Sequence, residues 1–206
     1  MAITDGYLTL AEAVAYVGRN EARADAELED VVTSASRLID NYCGRHFYQR
    51  TAEARTFEVE EFDCLEFGPY NDLTTLTTLK TDSNGDGTYE TTISSSNYVL
   101  EPYNAAVFDQ PYTELELINA VTFPIPAASG RENLIQITGT WGWPVVPPEV
   151  KQACRIMVAE VAKLADAPLG VAGYGEFGVF RVSGSIPPRA RQLLDPFRHP
   201  ANFGLA

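Results

Sequence analysis

The chain has 206 residues, of which 45% are hydrophobic, and it carries a formal net charge of −13. This length is enough for one compact domain, alone or with a sizeable insertion. The acidic balance argues against binding nucleic acid through its phosphates, and the lack of any apolar run near the roughly 18 residues of a membrane span argues against a transmembrane helix.

The N-terminal part, residues 1–54, predicts two helices. Residues 1–6 show no basic stretch followed by an apolar one, so we expect no signal peptide and synthesis in the cytoplasm. Thr9 and Glu12 have the spacing of a capping box, which predicts a short helix closed by Gly18. A long helix is predicted from Asp25 to Cys43, because apolar residues recur every three or four positions and acidic residues occupy the first turns. The apolar stripe of this helix comprises Leu28, Val31, Val32, Ala35, Leu38, Ile39 and Tyr42.

The middle of the chain, residues 55–143, predicts an inserted β-rich domain. Apolar and polar residues alternate over 56–60, 115–117 and 134–141, as in half-buried strands. Residues 73–80 have leucine at every third position, but their threonines favour a strand. Within this region, residues 56–118 carry 13 acidic groups and a single basic one. The simplest interpretation is a solvated acidic surface, which could also face DNA without binding it.

The C-terminal part, residues 144–206, begins with two prolines that predict the start of a second strong helix over 149–165. The apolar stripe of this helix comprises Val150, Ala153, Cys154, Met157, Val158, Val161 and Leu164. A glycine-rich segment over 168–178 predicts a flexible loop or arm. A short strand over 179–182 and a short helix over 188–197 follow it.

Together these elements predict an α+β fold. Isolated helices of this length are marginally stable, so we expect the N-terminal and C-terminal helices to pack together. The fold is then a small helical bundle with an inserted antiparallel β domain, divided as residues 1–54, 55–143 and 144–206.

Motifs for catalysis are missing from the sequence. Neither His46 nor His199 lies in a zinc-binding pattern, and no nucleophile elbow, phosphate-binding loop or dinucleotide fingerprint is present. The three cysteines, Cys43, Cys64 and Cys154, are widely spaced and are best interpreted as small apolar residues. We therefore predict a protein that is not an enzyme and that needs no cofactor.

One segment deserves a separate interpretation, because Asp82-Ser83-Asn84-Gly85-Asp86-Gly87 matches the first half of a calcium loop. The candidate Ca²⁺ ligands are Asp82, Asn84, Asp86, Thr88 and Glu90. Position 12 of such a loop should be a glutamate but is Ile93, and Asn-Gly and Asp-Gly are strong hairpin signals. A plain β-hairpin turn is the favoured interpretation, and a Ca²⁺ site is the alternative.

Several blocks of the sequence, in order, resemble phage head-to-tail connector (adaptor) proteins, in particular the longer, β-inserted members from siphophages. The first two blocks are Tyr7-Leu8-Thr9-Leu10-Ala11-Glu12-Ala13 and the helix from Leu28 to its end at Asn41-Tyr42-Cys43-Gly44-Arg45. The later blocks are Thr138-Gly139-Thr140-Trp141-Gly142-Trp143-Pro144, Val146-Pro147-Pro148-Glu149-Val150-Lys151-Gln152-Ala153 and Ala167-Pro168-Leu169-Gly170-Val171.

The resemblance implies a structural subunit of the virion, located in the neck between capsid and tail and assembled in the host cytoplasm. Twelve copies would form a ring that binds the portal protein on one side and a stopper or tail-terminator protein on the other. DNA would pass through the ring without specific binding. The two helical stripes would build the bundle and the ring. A portal-contacting arm would comprise Leu169, Val171, Tyr174, Phe177, Phe180 and Arg181.

Two other functions stay open. A different neck protein, such as a stopper or head-closure protein, has a β-barrel core, which the two strong helices argue against. A Ca²⁺-dependent β binding module would be centred on Asp82 to Glu90.

Overall fold

The computed structural model describes residues 3–18, 25–125, 132–166, 171–172, 180–181 and 186–200. It combines four α-helices with antiparallel sheets, and the helices lie towards both ends of the chain with the sheets inserted between them. The predicted α+β fold is confirmed. The chain forms two compact units, a helical unit of Met1–Gly44 with Val146–Ala206 and a β unit of Arg45–Val145.

Among the described residues, the helical unit contains four helices, and the third of them packs against the other three. The elements are α1 (Leu10–Val17), α2 (Asp25–Cys43), α3 (Pro148–Asp166) and α4 (Pro188–Leu194), the last continued by a 3₁₀ turn, Asp195–Phe197. Helix α3 packs against α1, α2 and α4, so helices from the two ends of the chain meet as predicted. None of the helices in the described residues combines the length and apolar character that a membrane span requires.

Local interactions fix the ends of these helices. The Oγ1 of Thr9 accepts a hydrogen bond from the Glu12 amide at 3.2 Å, and the Thr9 amide donates to the Glu12 carboxylate at 2.8 Å. This is the predicted capping box, and it satisfies two amides at the start of α1. At the C-terminal end of α2, the carbonyl of Cys43 accepts a hydrogen bond from the amide of His199 at 2.7 Å. The segment after α4 therefore caps the last turn of α2.

A buried polar contact also holds the N-terminal segment on α2. The hydroxyl of Tyr7 donates to the carboxylate of Asp40, which is 2% exposed, and Arg37 pairs with the same carboxylate at 2.9 Å. The Tyr7 amide donates to the Ser36 hydroxyl at 3.0 Å. Because a buried carboxylate is stable only when it is paired and hydrogen-bonded, these contacts tie the segment before α1 to α2.

The described residues of the β unit form two sheets that share one core. The strands are β1 (Arg50–Phe57), β2 (Cys64–Glu66), β3 (Leu73–Thr81), β4 (Thr91–Ile93), β5 (Tyr98–Glu101), β6 (Glu114–Leu117) and β7 (Ile135–Trp141). The first sheet has the order β1-β7-β3-β4 and the second has the order β2-β6-β5, and the pairs within them are antiparallel. The shared core comprises Phe57, Leu65, Phe67, Leu73, Leu79, Ile93, Leu115, Leu117, Phe123, Ile135, Ile137 and Trp141.

The strands over 73–80, 115–117 and 134–141 are predicted correctly, but the position of β1 is not. The alternation over 56–60 predicts a strand there, whereas β1 begins at Arg50 and ends at Phe57. Its position is set by pairing with β7, from Arg50 opposite Trp141 to Phe57 opposite Ile135. This pairing is non-local, so local alternation does not reveal it.

Candidate functional site

The two predicted helical stripes divide into a buried part and an exposed part. The stripe residues that are buried within the helical unit are Leu28, Val32, Ala35, Ile39, Val150, Ala153, Cys154, Met157 and Val158. Val31 is half-buried, Leu38 is 48% exposed and Val161 is 38% exposed. Val31 and Leu38 are seven residues apart and therefore lie on one side of α2. The apolar stripe of α2 is thus wider than the chain itself covers.

Three of the six residues predicted for the arm lie outside the described residues. Leu169, Tyr174 and Phe177 belong to the part of the chain that the structure does not describe. Two short strands, β8 (Val171–Ala172) and β9 (Phe180–Arg181), pair antiparallel, with Val171 opposite Arg181.

The candidate calcium loop connects β3 to β4 as a hairpin, with Thr81 opposite Thr91. The carboxylate of Asp82, fully buried, accepts hydrogen bonds from the amides of Gly85 and Gly87, each at 2.7 Å. Such bonds let an aspartate replace the missing backbone partners of a tight loop. The Asp82 side chain therefore supports the fold of the loop.

The same loop brings three of the five predicted ligands together. Ligand oxygens of Asp82, Asp86 and Glu90 lie within 4.8 Å of one another. Asn84 and Thr88 bond within the loop: the Asn84 amide group donates to Asp86 at 3.1 Å, and the Thr88 backbone amide donates to Asp86 at 2.7 Å. Ile93, at the twelfth position, pairs with Leu79 and is 8% exposed, so it belongs to the core.

The outer side of the β2-β6-β5 sheet carries a row of glutamates. The sequence shows this segment to be acidic but does not indicate which glutamates lie side by side. Glu114 lies opposite Glu66 on one neighbouring strand and opposite Glu101 on the other. Like charges directly opposite each other in a sheet are destabilising. A groove of about 740 Å³ adjoins this row, and no lysine or arginine is among its described lining residues. Its acidic lining comprises Glu58, Glu60, Glu61, Glu66 and Glu114.

Cys64 lies in this acidic groove, and its thiol donates to Oε1 of Glu114 at 2.8 Å. Burial, the hydrogen bond to Glu114 and the surrounding glutamate charges raise the pKa of the Cys64 thiol to about 12. Each of these effects disfavours the thiolate, which is the nucleophilic form of cysteine. Cys64 is therefore unsuited to covalent catalysis at neutral pH.

A buried ion pair links the two ends of the β unit. Arg45 pairs with the carboxylate of Asp72, and the indole nitrogen of Trp143 donates to the other carboxylate oxygen at 3.1 Å. Asp72 is 2% exposed. Asp72 follows a turn and belongs to no chemical motif, so no signal in the sequence marks it.

No protein-family model matches the sequence, and no curated protein matches it. Several solved chains share its architecture, among them three from GTA particles. A chain from the neck of an empty GTA particle, computed with C6 symmetry, is 18% identical with a TM-score of 0.58, and the match covers 96% of this chain and 92% of that one.

The second structure is a chain from the neck of a native GTA particle, computed with C12 symmetry. It is 17% identical with a TM-score of 0.57, again over 96% of this chain and 92% of that one. The third is a chain from the virion of a native gene transfer agent (GTA) particle, which is 20% identical over the same shares with a TM-score of 0.53. This chain has their fold. The likeness extends over both the helical and the β unit, because it covers nearly the whole length of each chain.

Proposed function

We propose that this protein is a structural, non-enzymatic subunit of the neck of a phage-like particle. The observation that carries the proposal is the shared fold with neck chains of GTA particles over 96% of this chain and 92% of theirs. Fold alone does not establish function. The acidic surface and the partly exposed apolar side of α2 support the same assignment.

The subunit would act in a homo-oligomeric ring of 12 copies. The GTA necks were computed with C6 and C12 symmetry, which supports a ring with a multiple of six subunits. The partly exposed Val31 and Leu38 on α2, with Val161 on α3, supply an apolar surface for a neighbouring copy. A ring uses two different surfaces on each copy, so this face would pack on another part of its neighbour.

Within the neck, we assign the protein the role of the adaptor between the portal and the next neck protein, a stopper or tail-terminator. The segment over 168–181 would contact the portal. DNA would pass through the ring without specific binding, because an acidic lining repels phosphates. The protein would be located in the neck of the virion, after its synthesis and assembly in the host cytoplasm.

The proposal is tested by mixing the purified chain with the portal of the same particle and imaging the complex. We expect a ring of twelve copies bound to the portal. Phe177→Asp, in the proposed arm, should weaken this binding at least tenfold. Tyr103→Asp is the matched control, since Tyr103 is a 73% exposed aromatic residue in the β unit, and it should leave portal binding unchanged.

Two results would count against the adaptor role. A portal that never binds the chain, although the chain occupies the neck in a density map of the whole particle, would indicate a stopper or another neck protein. Absence of the chain from the particle would overturn the structural role altogether.

A further inference from the structure

Three large apolar side chains are exposed on the turn that joins β5 to β6. Tyr103, Val107 and Phe108 are 73%, 75% and 68% exposed, although they lie within six consecutive residues. Single exposed apolar residues are common on protein surfaces, but a group of them marks a site of interaction. Aromatic residues in particular are enriched at the centres of protein interfaces. We call these three residues the apolar knob.

Backbone hydrogen bonds fix the conformation of this turn. It contains a 3₁₀ helix, Ala105–Phe108. The amide of Ala105 donates to the carbonyl of Pro102 at 2.9 Å, and the side chain of Ala105 is only 1% exposed. The amide of Val107 donates to the carbonyl of Asn104 at 3.0 Å. Because the turn is already ordered, a partner that binds the knob pays little of the entropic cost of ordering it.

The charges around the knob are all acidic. Glu101 precedes it and Asp109, which is exposed, follows it. Residues 101–116 contain two further glutamates, Glu114 and Glu116, and no lysine or arginine. Since interfaces are electrostatically complementary, the matching surface is an apolar socket with lysine or arginine at its rim. The same charges disfavour an anionic membrane surface.

The size of the knob and the charge of the β unit restrict the partner further. The two aromatic side chains can bury about 300 Å², whereas a stable interface buries about 800 Å² on each partner. The acidic surroundings must therefore supply the rest of the contact, against a basic surface. The β unit of a second copy does not offer one, because residues 56–118 carry 13 acidic groups and a single basic one.

The next step rests on the proposed neck function, in which the segment over 168–181 contacts the portal and another surface has to contact the next neck protein. We propose that the turn between β5 and β6 is this other surface, and that the next neck protein receives the apolar knob in an apolar socket rimmed by lysine and arginine.

Binding of the purified next neck protein to the complex of the full chain with its portal tests the proposal. Phe108→Asp should load onto the portal and melt like the wild type, since the side chain is exposed, but should bind the next neck protein at least tenfold more weakly. Ile125→Asp is the matched control: this side chain is 70% exposed elsewhere in the β unit, and the variant should bind like the wild type.

A second variant examines the basic rim of the socket. Asp109→Asn removes one charge at a position with φ 52°, a backbone conformation that asparagine tolerates. We expect binding of the next neck protein to weaken about threefold at low salt and to differ little from the wild type at about 0.5 M salt, where such charges are screened.

The outcomes separate this proposal from the neck function on which it rests. A wild-type chain that does not load onto the portal would refute the adaptor role, and the docking surface with it. If the wild type loads but Phe108→Asp binds the next neck protein as well as Ile125→Asp does, the knob is not the docking surface. Loss of portal loading or of ring formation by a correctly folded Phe108→Asp would also overturn the proposal, because the knob would then contact the portal or a second copy.

Discussion

The Asp82 side chain serves the backbone of its own loop, and its removal has a predictable effect. Asp82→Ala removes the buried acceptor of the half-buried amides of Gly85 and Gly87. We expect it to lower the free energy of unfolding by about 3 kcal/mol, since two charge-assisted hydrogen bonds are lost. Urea denaturation measures the effect. Asp86→Ala, at an exposed position of the same loop, should cost less than about 1 kcal/mol, and equal effects of the two variants would contradict this account.

Calcium binding by the loop stays a prediction, and calorimetry separates it from a plain hairpin. Asp82, Asp86 and Glu90 offer oxygens within 4.8 Å of one another, but the twelfth position supplies none. Any site would therefore be weak, with a dissociation constant of about 10⁻⁴–10⁻³ M. Millimolar Ca²⁺ would then raise the melting temperature of the wild type but not that of Glu90→Gln. If Ca²⁺ produces no heat of binding and no change in melting temperature, the plain hairpin is the correct interpretation.

Cys64 is expected to resist alkylation. With a thiol pKa of about 12, its thiolate is scarce at pH 8, so iodoacetamide should modify it at least 100-fold more slowly than a cysteine in a short peptide. Glu114→Gln removes one charge and should increase the rate several-fold, although burial, the largest cause, persists. Glu12→Gln in the helical unit is the control. Mass spectrometry of the Cys64 peptide gives the rates, and a wild-type rate near that of the free peptide would refute the expectation.

At the scale of an element, buried and exposed positions of α2 should contribute to different properties, the first to the stability of the fold and the second to ring assembly. Val32 is fully buried, whereas Leu38, six residues further on, is 48% exposed. We expect Val32→Asp to unfold the helical unit, because a buried unpaired charge costs several kcal/mol. Leu38→Asp should keep the wild-type melting temperature within a few degrees and abolish ring formation. Mass photometry with thermal melts distinguishes them, and rings of Leu38→Asp would show that this side of α2 is not an interface.

The accuracy of the sequence predictions also differs by element. The helices follow from local signals, such as the Thr9–Glu12 box and the periodic stripe of α2, because helix bonds are formed within the element. The bounds of β1 do not follow from local signals, because its partner β7 lies about 80 residues away in sequence and only the pairing of the two strands fixes the register. The hairpin of β3 and β4 was predictable only in part. Its glycines and Asp82 indicate a loop, but they do not indicate that the Asp82 carboxylate is buried.

For the whole molecule, the charge distribution predicts that the protein does not bind DNA. The net charge is −13, and residues 56–118 contain a single basic group. A conduit for DNA needs a surface that phosphates do not adhere to, since each contact with lysine or arginine adds affinity. We expect no gel shift of double-stranded DNA at 50 mM salt and micromolar protein. A shift that disappears with added salt would reveal a basic surface that the fold assembles.

The sequence by itself determined the helices, their caps, the α+β class and the acidic character, because propensity, periodicity and charge are properties of neighbouring residues. Only the tertiary structure decided which apolar residues of α2 stay uncovered, where β1 pairs, and that Asp72 is buried between Arg45 and Trp143. Burial and strand pairing depend on residues that are distant in the chain. A single sequence specifies them through the packing of the whole unit, and no local pattern records them.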